Sequence, residues 1–285
     1  MTPHSDPREP TGAATPSTFD PGRGGHAGAA RRTDTLPAGT RIAAYEVERV
    51  LSTSSFGIVY LGLDRASGRR VALKEYFPDT LAVRGGDGQQ VVLRGETQAE
   101  AFERGRRAFV EEAGVLGRLD HPSLLRVLAH GQSHGTVYRA MPYYPGTPLQ
   151  RLREAMGTAP DEATLRALVE GLLEPLALLH AAGCLHREVT PWSILLLPDD
   201  RPVLMDWGAA RRAIVGDQAR ALMTLLTPSF AAPEVIAPAG DRPQGPWTDL
   251  YALAAVVRYC ISGQLPPPAG LRSLPAEESI GRLVA

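Results

Sequence analysis

The sequence has only two cysteines, Cys184 and Cys260, and no long apolar run. Two cysteines without metal-ligand spacing exclude a disulfide framework and a thiolate zinc site, and they suit a reducing compartment. No apolar stretch approaches the roughly 20 residues of a membrane span, and residues 1–38 lack the apolar core of a signal peptide. These absences predict a cytoplasmic protein without a membrane segment.

A strong excess of charge is also missing. The chain has 285 residues and a formal net charge of −1, so no global basic surface exists to recruit nucleic acid or anionic lipid. Hydrophobic residues make up 44% and charged residues 21%, which is typical of globular proteins. The length fits one two-lobed domain or two small ones, with no nucleic-acid partner.

Asparagine does not occur at all, and of the 30 lysine and arginine residues only Lys74 is a lysine. A chain that uses arginine for every other long cation indicates a chemical demand at this one position. A compact ammonium suits a point contact with a phosphate, where a broad guanidinium does not. The missing asparagine limits any site that would use an amide oxygen as a ligand.

Residues 1–40 are rich in Pro, Gly, Ala, Ser and Thr, and we predict a disordered tail there. From Tyr45 the apolar pattern changes to that of strands and one long helix. The pattern predicts strands over 45–51, 58–63, 70–74, 124–128 and 136–141, turns at 52–57 and 65–68, a hairpin tip at 85–88 and a helix over 97–119.

After Pro148 the pattern becomes helical. Residues 162–181 carry one broad apolar face, with Asp161 at the start and Gly183 just beyond the end, as caps require. A strand-rich half followed by a helix-rich half predicts an α+β fold with two lobes. The remaining predicted elements are short strands over 193–197 and 203–206 and a buried helix over 251–262.

Five short segments follow one another along the chain: 51–60 (LSTSSFGIVY), 71–74 (VALK), 186–194 (HREVTPWSI), 206–208 (DWG) and 232–234 (APE). Their order and spacing resemble the signature set of protein kinases, from the glycine-rich loop to the Ala-Pro-Glu segment. The resemblance covers about residues 43–268. The stretches 74–78 (KEYFP) and 246–253 (PWTDLYAL) look most similar to bacterial Ser/Thr kinases.

The resemblance implies a protein-kinase-like domain over 43–285, with a small β-rich N-lobe at 43–140, a hinge at 141–146 and a helical C-lobe at 147–285. The N-lobe should contain one long helix. Few residues follow Ser262, so the C-lobe is expected to lack its last helices. The chain is then either a fragment or naturally truncated, and in the second case a partner or a second copy, forming a homodimer, would cover exposed apolar surface.

The resemblance also implies that ATP binds between the lobes. Lys74 would hold the α- and β-phosphates and pair with Glu112 on the long helix, with Glu111 as the competing partner. Gly57 is the glycine that remains in the phosphate loop, where Ser52 and Ser54 replace two glycines. The residues implied to contact adenine are Val59, Ala72, Met141, Tyr143, Tyr144 and Leu195.

For phosphate transfer, the implied catalytic residues are Lys74, Asp206 and Glu188. Asp206 would bind Mg²⁺, and Ser193 stands at the family's second metal-binding position, normally asparagine. Glu188 replaces the family's catalytic aspartate and is one methylene longer, which displaces the base. Loss of a general base typically lowers the rate by about 10²–10⁴-fold. Thr190 replaces a lysine that neutralises the transferring phosphate.

Four further positions have implied roles. Trp207 should pack beneath the long helix, and Asp249 should anchor the backbone of the catalytic loop. Glu234 should pair with an arginine of the C-lobe, and Thr227 should lie near a substrate hydroxyl.

Three hypotheses remain open. The first is a pseudokinase that binds ATP and acts as a scaffold or regulator of a protein partner. The second is a slow Ser/Thr kinase that phosphorylates protein substrates with Glu188 as base. The third is an interaction module that binds no nucleotide.

Overall fold

The structure is a computed structural model that describes residues 34–205, 228–236 and 242–269. It has two lobes, and the prediction of an α+β fold is confirmed. The strands are β1 Arg41–Ile42, β2 Tyr45–Ser54, β3 Gly57–Asp64, β4 Arg70–Tyr76, β5 Ala82–Arg84, β6 Val91–Leu93, β7 Ala129–Ser133, β8 Thr136–Pro142, β9 Thr147–Pro148, β10 Ile194–Leu196 and β11 Pro202–Leu204. The α-helices are α1 Ala99–Leu116, α2 Leu149–Ala155, α3 Glu162–Ala181, α4 Pro233–Ile236 and α5 Pro246–Ser262.

The N-lobe is built on a six-stranded antiparallel sheet in the order β1-β2-β3-β4-β8-β7, with α1 packed against it. Its apolar core includes Ile58, Leu73 and Ala140, all fully buried. Successive side chains on a strand point to opposite faces, so Ile58 and Leu73 share one face of the sheet, while α1 packs on the other face through Tyr76.

The last residues of the predicted tail pack on the sheet. Leu36 is buried, its backbone N–H donates to the Tyr60 hydroxyl at 3.1 Å, and the Gly39 N–H donates to the Val47 carbonyl at 2.8 Å. Residues 34–40 therefore belong to the folded N-lobe. The rest of the predicted tail, residues 1–33, lies outside the described residues.

The C-lobe is held together by α3 and α5. Asp161 caps α3 by accepting a hydrogen bond from the Thr164 N–H at 2.8 Å, and Gly183 beyond its end has a φ of 71°, so both predicted caps are confirmed. α5 begins at Pro246 rather than at Tyr251, because proline is well suited to the first helical position. Its buried residues pack with α3 and β11 in one core.

The predicted strand over 124–128 is wrong. Leu124 and Leu125 are buried in the C-lobe core, where the Leu125 N–H donates to the Leu204 carbonyl at 2.9 Å. Only a single bridge joins Leu124 to Leu204, and the neighbouring strand β7 begins at Ala129. Leu124 and Leu125 are apolar because they pack in the C-lobe core, and not because they form a strand of the N-lobe sheet.

Candidate active site

Two rows of side chains cross the face of the N-lobe sheet that borders the cleft. Val59 on β3 is opposite Lys74 on β4, and Lys74 is opposite Arg139 on β8. Ala72 and Met141 are opposite each other in the adjacent row. Residues two apart on a strand share a face, so the predicted contacts of phosphate and adenine lie side by side.

This face is more open than the other one. Val59, Ala72 and Lys74 are half-buried, whereas Val71 and Leu73, which alternate with them on β4, are buried in the N-lobe core. The cleft side of the sheet therefore offers apolar surface beside one ammonium group.

Glu112 has a partner that the sequence did not predict. Its carboxylate accepts a hydrogen bond from the Arg139 guanidinium at 2.6 Å, and the two side chains are only 3% and 1% exposed. The guanidinium also lies over the ring of Phe109, 5.2 Å from its centroid. Glu112 is buried while Glu111 is exposed, so of the two candidates only Glu112 faces the sheet.

A signal for Arg139 was present in the sequence. It is the one charged residue in the strand 136–141, whose other members are Thr, Val, Tyr, Ala and Met. All six residues of that stretch are buried. A charged residue in a fully buried strand needs a charged partner, and Glu112 on the neighbouring helix supplies it.

The phosphate loop is a tight hairpin. Residues 52–57 were predicted as a turn, but β2 continues to Ser54 and β3 begins at Gly57, which leaves only residues 55 and 56 in the turn. The Ser54 hydroxyl donates to the Gly57 carbonyl at 3.0 Å and so closes the turn. A Cβ atom on Gly57 would lie 2.6 Å from the Glu75 carbonyl oxygen, so glycine is required there.

The tip of this hairpin is also bonded to the chain that follows β4. The Phe77 N–H donates to the Phe56 carbonyl at 3.3 Å, and the Asp79 N–H donates to the Ser55 carbonyl at 3.1 Å. These bonds continue the β3–β4 ladder past the end of both strands. The loop is thus held by backbone bonds on two sides.

The opposite wall of the cleft comes from the hinge and β10. Leu195 pairs with Pro148 of β9 and packs with Tyr144, which also contacts the cluster that contains Met141. A Cβ on Gly146 would lie 2.7 Å from Leu195 Cγ, so the glycine lets the hinge approach β10. Burial raises the pKa of the Tyr144 hydroxyl.

Tyr143, by contrast, is half-buried at the hinge and belongs to none of these clusters. Its predicted contact with adenine would therefore come through its backbone N–H and carbonyl, which are independent of the side chain.

Asp249 holds the catalytic loop, as predicted. Its buried carboxylate accepts hydrogen bonds from the backbone N–H of His186 at 2.9 Å and of Arg187 at 2.6 Å. His180 Nε2 donates to the same carboxylate at 2.8 Å, which the sequence did not predict. Arg187 has a φ of 62°, an unfavourable backbone conformation for a residue with a Cβ, and these bonds stabilise it.

His186 joins the loop to the end of β11. Its Nε2 is 2.9 Å from the Met205 carbonyl oxygen, and the Glu188 N–H points to its Nδ1 at 3.3 Å. A carbonyl can only accept and an N–H can only donate, so the ring is in the neutral Nε2–H form. The backbone before Asp206 and the backbone of Glu188 are therefore fixed to one side chain.

The hydroxyl of Ser193 is used inside the catalytic loop. Ser193 Oγ lies 2.9 Å from the Glu188 carbonyl and 3.0 Å from the Thr190 carbonyl, and it accepts from the Thr190 N–H at 2.9 Å. The Thr190 hydroxyl also donates to this oxygen at 3.5 Å, so both lone pairs of the Ser193 hydroxyl face donors of the loop. Ser193 and Thr190 are both buried, at 6% and 5% exposure.

The residues of the two rows on the cleft face fit a bound ATP. The glycine at position 57 beside Lys74, and the apolar residues of the other row, suit a phosphate chain and an aromatic ring. Within residues 34–205, 228–236 and 242–269, no group of three His, Cys, Asp or Glu side chains could hold a metal ion. The predicted metal ligand Asp206, with Trp207 and Thr227, lies outside those ranges.

A small pocket opens beside Glu188. It is lined by the catalytic loop on one side and by Phe230, Ala231 and Val235 on the other. The Phe230 ring packs edge-on against Trp192 at 5.8 Å between centroids, which fixes this wall.

The expected pairing of Glu234 with an arginine stays a prediction, but within the described part of the chain its side chain has another partner. The Thr248 hydroxyl at the start of α5 donates to Glu234 Oε1 at 2.7 Å, where an arginine was expected. Thr248 also accepts from the Gly245 N–H at 3.2 Å. The first turn of α5 therefore satisfies one oxygen of this carboxylate.

Comparison with known proteins agrees with this geometry. The sequence model of the protein kinase domain matches residues 45–279. The serine/threonine-protein kinase PknJ of Mycobacterium tuberculosis is 32% identical over 244 residues, covering 82% of this chain and 36% of PknJ. PknA of the same species is 29% identical over 229 residues, covering 78% of this chain and 47% of PknA. The matched region thus spans a third to a half of these relatives.

Solved structures give the same result. The apo form of PpkA-294 superposes with a TM-score of 0.75 at 37% identity, covering 82% of this chain and 81% of that one. The kinase domain of Mycobacterium tuberculosis PknI, in a mutant form, gives a TM-score of 0.59 at 27% identity, covering 81% and 79%. Among the described residues, no helix is both long enough and apolar enough to cross a membrane.

Proposed function

Because this chain belongs to the protein kinase family, we propose that it binds ATP between its lobes and acts as a pseudokinase that regulates a protein partner. In this proposal Lys74 holds the phosphates, while Ala72, Met141 and Leu195 enclose the adenine. ATP, when bound, supplies a transferable γ-phosphoryl group, but the loop that would direct the transfer is altered.

One observation supports the proposed loss of phosphate transfer. Thr190 and Ser193 stand where the family has a lysine and a metal-binding asparagine, and both are buried in hydrogen bonds of the loop itself. Neither side chain offers a positive charge to a transferring phosphate. Both lone pairs of the Ser193 hydroxyl face donors of Thr190, so we propose that Mg²⁺ binding is weak.

Nucleotide binding is supported by residues that keep their family identity. Lys74 is the only lysine of the chain and lies on β4, directly opposite Val59 of β3 and Arg139 of β8. Gly57 cannot carry a side chain without moving the backbone of β4.

A slow Ser/Thr kinase is the second candidate, and the anchoring of the catalytic loop favours it. Asp249 and His186 hold the backbone of residues 186–188, and a pocket opens beside Glu188. A carboxylate on a well-ordered loop can still accept the proton of a substrate hydroxyl, although its extra methylene displaces it.

The third hypothesis, an interaction module without nucleotide, has weaker support. Leu173 on α3 and Trp247 and Leu250 on α5 are exposed, at 40%, 55% and 44%. A protein partner or a second copy could cover them, and a homodimer remains a prediction.

The test measures transfer of radiolabelled γ-phosphate from ATP to the protein itself and to a generic basic protein, with Mg²⁺ and then Mn²⁺. Lys74→Ala provides the blank, and thermal unfolding with and without ATP measures binding. We expect ATP to raise the melting temperature of the wild type but not of Lys74→Ala, with labelling no higher than the blank.

Two variants separate the candidates. Labelling that rises in Glu188→Asp and disappears in Glu188→Ala would establish the slow kinase and refute the pseudokinase. If ATP stabilises neither the wild type nor any variant, nucleotide binding is refuted and the interaction module remains.

A further inference from the structure

Residues 34–40, which we call the N-terminal strap, pack on the outer face of the N-lobe sheet, away from α1 and the cleft. Leu36 is 2% exposed and belongs to the same apolar cluster as Tyr60 and Leu73, which are opposite each other on that face. Its backbone N–H donates to the Tyr60 hydroxyl at 3.1 Å. The family model matches residues 45–279, so the strap is a buried part of the N-lobe that precedes the matched region.

A buried ion pair joins the strap to β3 and β4. Arg84 of β5 donates from Nε to the Asp34 carbonyl at 2.8 Å and from Nη1 to Glu75 Oε1 at 2.8 Å. The Tyr60 hydroxyl donates to the other oxygen of the Glu75 carboxylate at 2.9 Å. The Arg84 and Glu75 side chains are only 4% and 3% exposed. A buried ion pair is stable only when its remaining donors and acceptors are also bonded, so the strap completes this network.

Glu75 and Phe77 connect this network to the phosphate loop. The Glu75 carbonyl oxygen lies 2.6 Å from the position that a Cβ atom on Gly57 would occupy. The Arg84 guanidinium lies over the Phe77 ring, 4.8 Å from its centroid, and the Phe77 N–H donates to the Phe56 carbonyl of the loop at 3.3 Å. The strap and the phosphate loop therefore both depend on the positions of Glu75 and Phe77.

We propose that the strap regulates the phosphate loop: docked, it holds the loop in the form that binds ATP, and its release from the sheet loosens the loop. A loop that is already ordered loses less conformational entropy when its ligand binds, so a docked strap gives tighter ATP binding. Coupling between two sites is reciprocal, so bound ATP must in turn favour the docked strap. The proposal rests on the nucleotide binding proposed above.

Leu36→Ala tests the effect of the strap on the nucleotide. The substitution shortens the buried side chain that docks the strap and leaves the ion pair of Arg84 and Glu75 in place. We expect the Kd for ATP to rise about fivefold or more. The Kd for adenosine, which has no phosphate for the loop to contact, should not change. Leu168→Ala is the matched control, because it removes the same atoms from the C-lobe core and should leave both Kd values unchanged.

Tyr60→Phe loosens the strap in a different way and serves even where Leu36→Ala fails to fold. It removes only the hydroxyl that accepts the Leu36 N–H, while Arg84 still binds Glu75. We expect the Kd for ATP to rise in this variant too, by about threefold, again without a change for adenosine.

Trypsin measures the reverse effect, of the nucleotide on the strap. The bond between Arg41 and Ile42 lies in β1, and Ile42 is only 1% exposed, so trypsin can cut there only after the strap and β1 leave the sheet. Mass spectrometry of the fragment that begins at Ile42 gives the rate. We expect faster cutting in Leu36→Ala but not in Leu168→Ala. Saturating ATP should slow the cut in the wild type, whereas adenosine at equal saturation should not.

The proposal is supported if ATP affinity falls selectively in the strap variants and if ATP slows the cut after Arg41. It is overturned if both strap variants bind ATP as the wild type does, if adenosine weakens equally, or if ATP leaves the cutting rate unchanged. Failure of the wild type to bind ATP would refute the proposed function, and the coupling with it. Unchanged binding in the variants of a wild type that does bind ATP would refute the coupling alone.

Discussion

Ser193 Oγ lies 2.9 Å from the carbonyl oxygen of Glu188, five positions earlier in the same loop. The residue at the family's metal-binding position therefore fixes the backbone of the residue at the base position. Its hydroxyl shapes the loop from within, and this role is independent of any metal.

We predict that Ser193→Ala destabilises the protein by about 1–2 kcal/mol, because the Thr190 N–H and the Glu188 carbonyl lose a buried partner. Urea unfolding followed by fluorescence measures the change. Ser262→Ala is the control, because that hydroxyl is exposed at the end of α5 and should cost little. Equal stability of both variants would contradict the role assigned to Ser193.

Asp249→Asn should be more severe. The carboxylate accepts three hydrogen bonds, from His180, His186 and Arg187, and an amide has only one oxygen to replace them. We expect a loss of about 3 kcal/mol in the free energy of unfolding. Asp161→Asn is the matched control: asparagine caps a helix as well as aspartate does, so stability should stay nearly constant. A small effect at Asp249 would mean that other contacts hold the loop.

Gly57→Ala tests the phosphate loop. The added methyl group would lie 2.6 Å from the backbone oxygen of Glu75, so strand β3 or β4 must shift. We expect a cost of about 1–3 kcal/mol and weaker ATP binding, seen as a smaller thermal shift on adding ATP. Gly86→Ala has open space around the new methyl group and should behave as the wild type. An unchanged thermal shift in Gly57→Ala would contradict the proposed approach of the loop to the phosphates.

The two cysteines should differ in reactivity. Burial raises the pKa of the Cys260 thiol to about 11, so at pH 8 only about one molecule in a thousand carries its thiolate. Cys184 is half-buried, and a thiol-specific reagent should label it alone until urea exposes the second thiol. The variant Cys184→Ala should show no rapid labelling. Two fast thiols in the folded protein would contradict the buried position of Cys260.

The same pKa has a consequence for stability. The folded-state value lies above the unfolded value of about 8.5, so the neutral thiol favours the folded state. That contribution is complete below about pH 8.5 and is lost as the pH rises through about 11. Cys260→Ala should remove this part of the alkaline destabilisation, which a pH series of urea unfolding curves would detect.

The sequence correctly predicted those helices and strands whose own residues show a clear pattern. The caps of α3 and the alternation of β3 and β4 were readable because each element carries its own pattern. Leu124 and Leu125 were misassigned because an apolar run reports burial, not the partner that buries it. The start of α5 was also misplaced, because its first turn contains a proline and polar residues and has no apolar pattern of its own.

At the site, the sequence identified residue types but not their pairings. Lys74 and Glu112 were identified by resemblance to the family, yet Arg139, which binds Glu112, lies on a strand from which the resemblance implied only Met141. Arg139 was visible as a charge in an apolar strand. Only the register of β4 with β8 reveals that it stands beside the lysine.

Two backbone hydrogen bonds beyond the end of β4 join the phosphate loop to residues 77–79. The amide protons of Phe77 and Asp79 are bonded to carbonyls of the loop, at Phe56 and Ser55. They can exchange with solvent deuterium only when the loop separates from that segment. Any ligand that lifts or tightens the loop will therefore change the exchange rate of two amides outside it, which makes that short segment a built-in reporter of loop opening.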